Sequence, residues 1–390
     1  MLPLIQGLFD GISIGSVLLL AALGLAIVFG LMGVINLAHG ELMMLGAYTT
    51  FVVQNTFKAY LPESLYNSYF FFAIPCAFIV AAIVGLLLEK TVIRFLYGRP
   101  LETLLATWGV SLILRQFVRS VSGMLAICLG VFGLLFLGGL TILKRRSNWQ
   151  SIKDKAIALL LTISGGIAIA LGILINKSDS QTWTKPWFDT RNVDVSAPGW
   201  LQEGLSLGSL QFAYTRVFII VLTIICVAAI YWFLNGTNWG LKIRSVTQNR
   251  TMSACLGIPT DQVDAITFAL GSGLAGIAGC AITLLGSVGP NIGQLYIVDT
   301  FMVVVVGGVG NLLGTILAAL AIGIITYLIG TGTIALLLPP ATESLKPIID
   351  FFTFFATTSM AKVMIFALII AFLQIKPSGI FPQKGRAVEN

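Results

Sequence analysis

Long apolar runs dominate this chain, and short polar segments separate them. A run of about 18 or more apolar residues is long enough to cross the hydrocarbon core of a bilayer, roughly 30 Å, as an α-helix. The pattern therefore predicts an all-α polytopic membrane protein with about 10 to 11 transmembrane or partial helices. The predicted apolar spans cover residues 12–35, 41–57, 70–88, 103–121, 124–143, 156–176, 216–235, 264–286, 299–312, 314–337 and 362–376.

Basic residues concentrate in alternate polar segments. Four such segments, 89–102, 144–155, 236–263 and the tail from 376, carry 14 of the 23 Lys and Arg residues. Membrane proteins place basic loops in the cytoplasm. We therefore expect these segments in the cytoplasm, with the N-terminus periplasmic and the C-terminus cytoplasmic. The segment 177–215, rich in tryptophan, then lies in the periplasm.

Composition indicates that lipid is the main solvent of this surface. Hydrophobic residues make up 57% of the chain and charged residues only 10%, whereas soluble domains carry roughly 25% charged residues. The net charge of +7 is explained by the cytoplasmic loops, so it indicates membrane orientation rather than a nucleic-acid-binding surface. We expect membrane lipid as a partner and no nucleic acid.

A polar break at 36–41 separates the first two spans and contains His39, the single histidine. It could be a turn between two helices, with Asn36 and Gly40 supplying the turn geometry. It could instead line a substrate path as a discontinuous helix, or His39 and Glu41 could relay protons or catalyse a reaction. One histidine without an HExxH motif does not make a zinc site, so we expect no metal.

Two glycine-rich stretches resemble nucleotide motifs, but their context argues against that function. Residues 271–276 fit GxGxxG inside an apolar run that no strand precedes, so close helix packing is the better interpretation. The stretch 307–314 is either a packing site or the end of a half-helix that faces the pore. Because the Gly-Lys dipeptide of a phosphate-binding loop does not occur, we expect no cofactor and no ATP on this chain.

The segment 236–263 is the strongest sign of a partner subunit. After a glycine-containing turn it has a helix-compatible stretch, 245–258, that stops at Gly257 and Pro259. Met252 and Leu256 would share one face of that helix, because they are four residues apart. A short amphipathic helix in the cytoplasm suits docking into a groove on a partner; an ordinary connecting loop is the alternative.

Three segments, 30–41, 252–258 and 307–314, together resemble the branched-chain amino-acid-type permeases of ATP-binding-cassette importers. The resemblance covers most of residues 1–120 and 205–385. It implies a second homologous permease subunit, two ATPase subunits that bind ATP and Mg, a periplasmic substrate-binding protein, and a place in the bacterial inner membrane. It also implies an ATPase-coupling loop, whose candidate residues are Arg244, Arg250, Met252, Ala254, Leu256, Gly257 and Ile258.

The chain departs from the shorter family pattern at about 122–200, where two further apolar spans flank a basic loop. Two added crossings return the chain to its original side of the membrane, so the topology that follows is unchanged. We therefore predict one transmembrane permease domain over 1–390, with an inserted pair of helices and a periplasmic loop at about 122–200.

Residues 99–112 look most like the urea permeases within that family, so the resemblance implies half of a translocation path for urea. Branched-chain or other amino acids are the alternative substrates, and a membrane-embedded enzyme using His39 and Glu41 is a remote alternative. Polar side chains along the path would replace the hydrogen bonds that a solute loses on leaving water. The candidate pathway residues are Asn36, His39, Glu41, Thr107, Trp108, Ser111 and Asn311.

Overall fold

Helices built from the apolar runs form most of the described chain. The computed structural model describes residues 2–144, 149–177, 185–188, 192–207, 210–333, 350 and 353–381. In chain order the elements are α1 (Leu2–Met32), α2 (His39–Tyr60), α3 (Glu63–Tyr66), α4 (Tyr69–Thr91), α5 (Pro100–Ser120), α6 (Gly123–Lys144), α7 (Trp149–Lys177), α8 (Gly199–Gln202), β1 (Gly204–Leu207), β2 (Leu210–Ala213), α9 (Tyr214–Gly236), α10 (Asn238–Gln248), α11 (Arg250–Cys255), α12 (Thr260–Ile282), α13 (Ile292–Gly307), α14 (Leu312–Gly330) and α15 (Thr358–Ile375).

The predicted class, an all-α polytopic membrane protein, is confirmed. Within the described residues, seven helices are long and apolar enough to cross a membrane, namely α1, α4, α6, α7, α9, α12 and α14. The helices α13 and α15 are apolar but shorter, and α2 and α5 are of membrane length but more polar. A small antiparallel hairpin of β1 and β2, which pairs Gly204 with Ala213, is the departure from the all-helical expectation. The orientation of the termini stays a prediction.

Helix α12 lies at the centre of the helix bundle because its small residues let three neighbours approach its backbone. A Cβ atom added to Gly271 would lie 2.7 Å from the Gly24 carbonyl oxygen of α1. One on Gly276 would meet the Ala77 backbone of α4, and one on Gly279 the Met43 backbone of α2. The glycine run therefore serves helix packing, as predicted from its sequence context.

Adding a methyl group at these contacts is expected to destabilise the bundle. Gly279→Ala should lower the free energy of unfolding by about 1–3 kcal/mol, since the new atom overlaps backbone that has no room to move. Gly130→Ala on α6 is the matched control, because nothing lies within 4 Å of its Cβ position. The control should leave stability unchanged or raise it by up to about 1 kcal/mol through helix propensity. Thermal unfolding of the two purified variants checks this, and equal midpoints would contradict the packing account.

The glycine-rich break at 307–314 separates α13 from α14, but α13 begins earlier than the span predicted from residue 299. It runs from Ile292 to Gly307. Gly308 and Gly310 follow with φ angles of 98° and 81°, a conformation that favours glycine. The Asn311 carboxamide oxygen then caps α14 by accepting a hydrogen bond from the Gly314 N–H at 3.1 Å. The 16 residues of α13 extend about 24 Å, so α13 is shorter than a full bilayer core.

The chain divides into two compact units, residues 1–111 with 193–390, and residues 112–192. The second unit contains the end of α5 and the pair α6 and α7, and the Trp187 N–H donates to the Val121 carbonyl at 2.8 Å within it. The interpretation of 122–200 as an insertion stays a prediction. Four basic residues of the segment 144–155 and of the tail lie outside the described residues, namely Arg145, Arg146, Lys384 and Arg386, and so does Trp183 of the tryptophan-rich segment.

Candidate functional site

The polar break between α1 and α2 is a turn whose geometry comes from Gly33 and Asn36. Gly33 has a φ angle of 70°, and its N–H donates to the Phe29 carbonyl at 3.0 Å, which ends α1. The Asn36 side-chain oxygen accepts a hydrogen bond from the Ala38 N–H at 3.0 Å. The expectation that Gly40 supplies turn geometry is wrong. Gly40 lies inside α2, where a Cβ atom would overlap the Gly293 backbone.

Polar side chains of the break and of α5 form a buried cluster. The Thr107 hydroxyl accepts a hydrogen bond from the Leu37 N–H at 3.2 Å. The Ser111 hydroxyl donates to Glu41 Oε1 at 3.0 Å, so α5 is bonded both to the turn before α2 and to the first turn of α2. The cluster residues, each at most 5% exposed, are Asn36, His39, Glu41, Thr107 and Ser111. The two bonds bring Thr107 and Ser111 to the break that contains Asn36, His39 and Glu41, and contact of these residues with a substrate stays a prediction.

Two predicted pathway residues lie apart from this cluster's hydrogen bonds. Trp108 is 53% exposed, whereas its neighbour Thr107 is buried. Asn311 caps α14 and lines a mainly apolar groove of about 960 Å³ between α1, α9 and α14. The groove also contains Arg244, whose guanidinium donates to the Asn235 side chain at 3.1 Å.

His39 connects the start of α2 to the middle of α1. Its Nε2 lies 3.0 Å from the Ala21 carbonyl oxygen, and the ring is fully buried. Its Nδ1 has no hydrogen-bond partner among the described residues. A neutral imidazole can donate this hydrogen bond, so the geometry indicates that His39 holds the start of α2 against α1.

Substitution of His39 separates that packing role from proton transfer. We expect His39→Gln to change transport by less than about tenfold, since an amide still donates to the Ala21 carbonyl, while His39→Leu removes this hydrogen bond at a cost of about 0.5–1.5 kcal/mol. Transport rate and amount of assembled complex should be measured for both variants. Loss of transport in an assembled His39→Gln complex would instead indicate a proton relay.

The predicted coupling helix over 245–258 is wrong in its bounds, because Asn249 divides the segment. Helix α10 ends at Gln248, and Asn249 has extended backbone angles. Its side chain accepts a hydrogen bond from the Met252 N–H at 2.9 Å, which caps a new short helix, α11. An asparagine cap competes with continuation of a helix, and this signal is present in the sequence.

The end of α11 agrees with the sequence-based prediction. Gly257 has a φ angle of 81°, its N–H donates to the Ala254 carbonyl, and the Ile258 N–H donates to the Ser253 carbonyl, each at 3.0 Å. This pair of bonds is the Schellman arrangement that ends helices at glycine. Ile258 then packs on a hydrophobic cluster that includes Ile243 and Val263, which fixes the chain's return into α12.

One side of α11 is anchored by Arg250. Its guanidinium forms an ion pair with Asp264 on α12 at 2.6 Å, and the Asp264 side chain is only 3% exposed. The guanidinium also stacks 4.9 Å from the centre of the Tyr97 ring. Burial raises the pKa of the Tyr97 hydroxyl, and the charges of Asp264 and Glu89 act in the same direction. The ring therefore stays neutral and suited to a cation–π contact.

The other side of α11 presents apolar residues outward. Met252 is 59% exposed and Leu256 is 76% exposed, and Ala254 between them is exposed as well. Side chains four residues apart share one face of a helix. A rigidly held helical turn with exposed apolar side chains has the form expected of a surface that another subunit covers.

The apolar helices of the bundle are those of a polytopic membrane protein. Residues 7–373 match the model of a family described as the permease component of branched-chain amino acid transport systems. The chain belongs to that family. Its multi-pass inner-membrane location follows from the family and from the apolar helices.

Full-length permeases are among its relatives. The chain is 24% identical over 377 residues to the high-affinity branched-chain amino acid permease LivH of Salmonella typhimurium, covering 96% of this chain and 94% of the relative. It is 25% identical to LivH of Escherichia coli K12 over the same lengths. It is also 25% identical to BraD of Pseudomonas aeruginosa over 323 residues, covering 82% and 84%. No solved structure matches the chain.

Sequence reasoning missed a second group of charged residues, which the structure places inside the bundle. Arg216 lies in the first turn of α9, Lys362 in the second turn of α15, and Asp299 within α13. In the sequence these residues stand at the first positions of predicted apolar spans, where charges are ordinary. A charge within a membrane helix is costly and marks a functional candidate, and this signal could have found Asp299.

Proposed function

We propose that this chain is the permease subunit of an ATP-driven importer of branched-chain amino acids. The observation that carries the proposal is the family match over residues 7–373. Relatives named for branched-chain amino acid transport support it over nearly their whole length. The urea expectation came from residues 99–112 alone, and none of the three relatives described above is named for urea.

We propose further that one of two ATPase subunits docks on α11 and that a second permease subunit completes the pore. The exposed pair Met252 and Leu256 supports the docking surface. The Arg250–Asp264 ion pair supports the transmission of movement, because it joins α11 to the central helix α12. A shift of α12 would reach α1, α2 and α4, which pack on its glycines.

The chain is a transport permease and not an enzyme in this account. ATP and Mg would be bound by the ATPase subunits, since the chain has no phosphate-binding loop. The remote alternative of catalysis by His39 and Glu41 is disfavoured by their bonds, because His39 contacts a backbone carbonyl and Glu41 accepts from the Ser111 hydroxyl. A periplasmic binding protein would deliver the substrate.

Uptake of labelled solutes tests the proposed substrate. Cells that lack this chain and cells that regain it should be compared for uptake of labelled leucine and labelled urea at equal concentration. We expect restored leucine uptake that unlabelled valine and isoleucine inhibit, with urea uptake unchanged. Restored urea uptake without leucine uptake would overturn the proposal in favour of the urea permease.

A further inference from the structure

A cavity of about 370 Å³ lies between α1, α13, α14 and α15, with the first turn of α9 at its edge. This volume is within the range of small-molecule sites, roughly 300–1,000 Å³. All of its lining residues belong to the unit formed by residues 1–111 and 193–390. Neither the polar break nor the α11 surface contributes to it.

One wall of the cavity carries charges of both signs. The Lys362 ammonium lies 2.8 Å from Asp299 Oδ2, and their side chains are 38% and 12% exposed. Arg216 also lines the cavity, and its guanidinium pairs with the buried carboxylate of Asp10. The charges cancel when Asp10 is counted, although Asp10 itself does not line this cavity, and the wall offers the Asp299 carboxylate and the Arg216 guanidinium as separate contact points.

The remaining wall is aliphatic. Its aliphatic residues come from α1, α13, α14, α15 and the loop before α13 and include Val17, Leu18, Leu285, Met302, Ile322 and Ile365, and the rings of Tyr296 and Phe366 line the cavity as well. A branched aliphatic side chain placed among them would be removed from water, which stabilises binding in proportion to the apolar area buried. A small solute without an apolar part would gain nothing from this wall.

Arg216 also lines a second, more polar cavity of about 440 Å³. That cavity is formed at the N-terminal ends of α1 and α9 and by the β1–β2 hairpin, with Gln6, Glu203 and Gln211 among its residues. On the predicted topology these ends face the periplasm. Arg216 thus lines both this polar cavity, which we call the outer cavity, and the amphipathic cavity of about 370 Å³, which we call the inner cavity.

We infer that the inner cavity binds the α-amino acid substrate as a zwitterion, with Arg216 holding the carboxylate and Asp299 the ammonium group. Arg216 has five N–H donors in a planar fork, so it binds a second carboxylate while its bond to Asp10 persists. Lys362 orients Asp299, and the aliphatic wall takes the side chain. A net-neutral ligand with both charges is the class that this wall matches. The inference rests on the proposed function, because the amino acid class comes from there.

Protection from chemical modification tests the site without relying on transport. Thr326 lines the cavity, while Thr331, at the end of the same helix, is exposed and does not line it. Thr326→Cys and Thr331→Cys complexes should be treated with a methanethiosulfonate reagent and the modification at each position read by peptide mass spectrometry. We expect leucine to slow modification at position 326 by about tenfold or more and at 331 not at all, with 4-methylpentanoate and 3-methylbutylamine ineffective, since each lacks one charged contact.

Equal rates with and without leucine at position 326 would overturn the inference, and so would equal protection by the two single-charge analogues. If cells take up leucine through the parent chain while leucine gives no protection, the inferred site fails and the proposed function stands. If the parent chain supports no leucine uptake, the proposed function itself fails.

Exchanging the charges of Asp299 and Lys362 tests whether Asp299 binds the substrate or only pairs α13 with α15. Asp299→Lys combined with Lys362→Asp keeps an ion pair between α13 and α15 but moves the carboxylate to the other helix. We expect the exchanged complex to assemble while its KM for leucine rises by about tenfold or more, and Asp299→Asn to show the same rise in KM. A parental KM in the exchanged complex would show that the pair is structural only and would overturn the inference.

Discussion

Replacing Met252 and Leu256 together by aspartate is expected to abolish ATP-driven uptake, by at least about a hundredfold. These side chains are 59% and 76% exposed; Met252 lies on α11, and Leu256 directly follows its last residue and donates its N–H to the Met252 carbonyl. Apolar anchors that fill a groove on a partner account for much of the binding free energy, about 2 kcal/mol or more each. A carboxylate in the same groove would also be desolvated without a partner. Uptake in membrane vesicles and co-purification of the ATPase subunits should fall together.

Leu101→Asp is the matched control for this double variant. Leu101 is 82% exposed at the start of α5, in another loop that we predict to be cytoplasmic. It should leave uptake and co-purification within about twofold, since most surface substitutions are nearly neutral. Normal ATPase recovery with the α11 double variant would show that another element docks, and the case for coupling through α11 would then be lost.

Removing the Arg250 guanidinium is expected to have the second largest effect. Arg250→Ala leaves the Asp264 carboxylate, 3% exposed, without its ion partner. Breaking a fully buried pair costs about 3–5 kcal/mol, and the half-exposed position of Arg250 lowers our expectation to about 2 kcal/mol. The variant should lose ATPase co-purification because α11 loses its anchor on α12. Thermal unfolding of the purified chain measures the first effect, and co-purification measures the second.

Two further variants make this prediction specific. Arg94 pairs with Asp261 one turn before Asp264, but both side chains are more than half exposed, so Arg94→Ala should cost at most about 1 kcal/mol. Arg250→Ala combined with Asp264→Asn removes the buried charge and should recover part of the stability without restoring ATPase binding. Equal effects of Arg94→Ala and Arg250→Ala would contradict the anchoring role.

The sequence was informative wherever a local signal determines the structure. Apolar runs predict the membrane helices because bilayer thickness sets their length, and Gly257 predicts the end of α11 because few other residues adopt its backbone angles. The break at Asn249 could also have been predicted from its capping side chain. For the turn between α1 and α2 the sequence suggests Gly40 beside Asn36, whereas Gly33 has the turn conformation, since a glycine needed for close approach to Gly293 looks the same as one needed for a turn.

Features that depend on distant contacts could not be predicted. The Ser111–Glu41 bond joins residues 70 positions apart, and Lys362 pairs with Asp299 across 63 positions. No local pattern specifies such pairings, because they arise only when helices pack. Charges at the edges of apolar spans look like ordinary boundary residues, which is why Arg216 and Lys362 were passed over.

The substrate illustrates the same limit at the level of function. A short segment near Trp108 favoured urea, whereas relatives that match over nearly the full chain favour amino acids. A binding cavity draws its residues from several helices, as Arg216, Asp299 and Ile365 do here. One segment therefore carries little information about the solute, and similarity over the whole chain carries more.

Accumulation of leucine by a reconstituted complex tests the central claim most directly. The chain, its permease and ATPase partners and the binding protein should be placed in liposomes, with the binding protein outside and ATP with Mg on the ATPase side, and labelled leucine and urea compared. We predict leucine accumulation above its outside concentration that requires ATP hydrolysis and is lost when this chain is omitted, with no accumulation of urea. Leucine that only equilibrates across the membrane regardless of ATP, or ATP-driven accumulation of urea instead, would contradict the account.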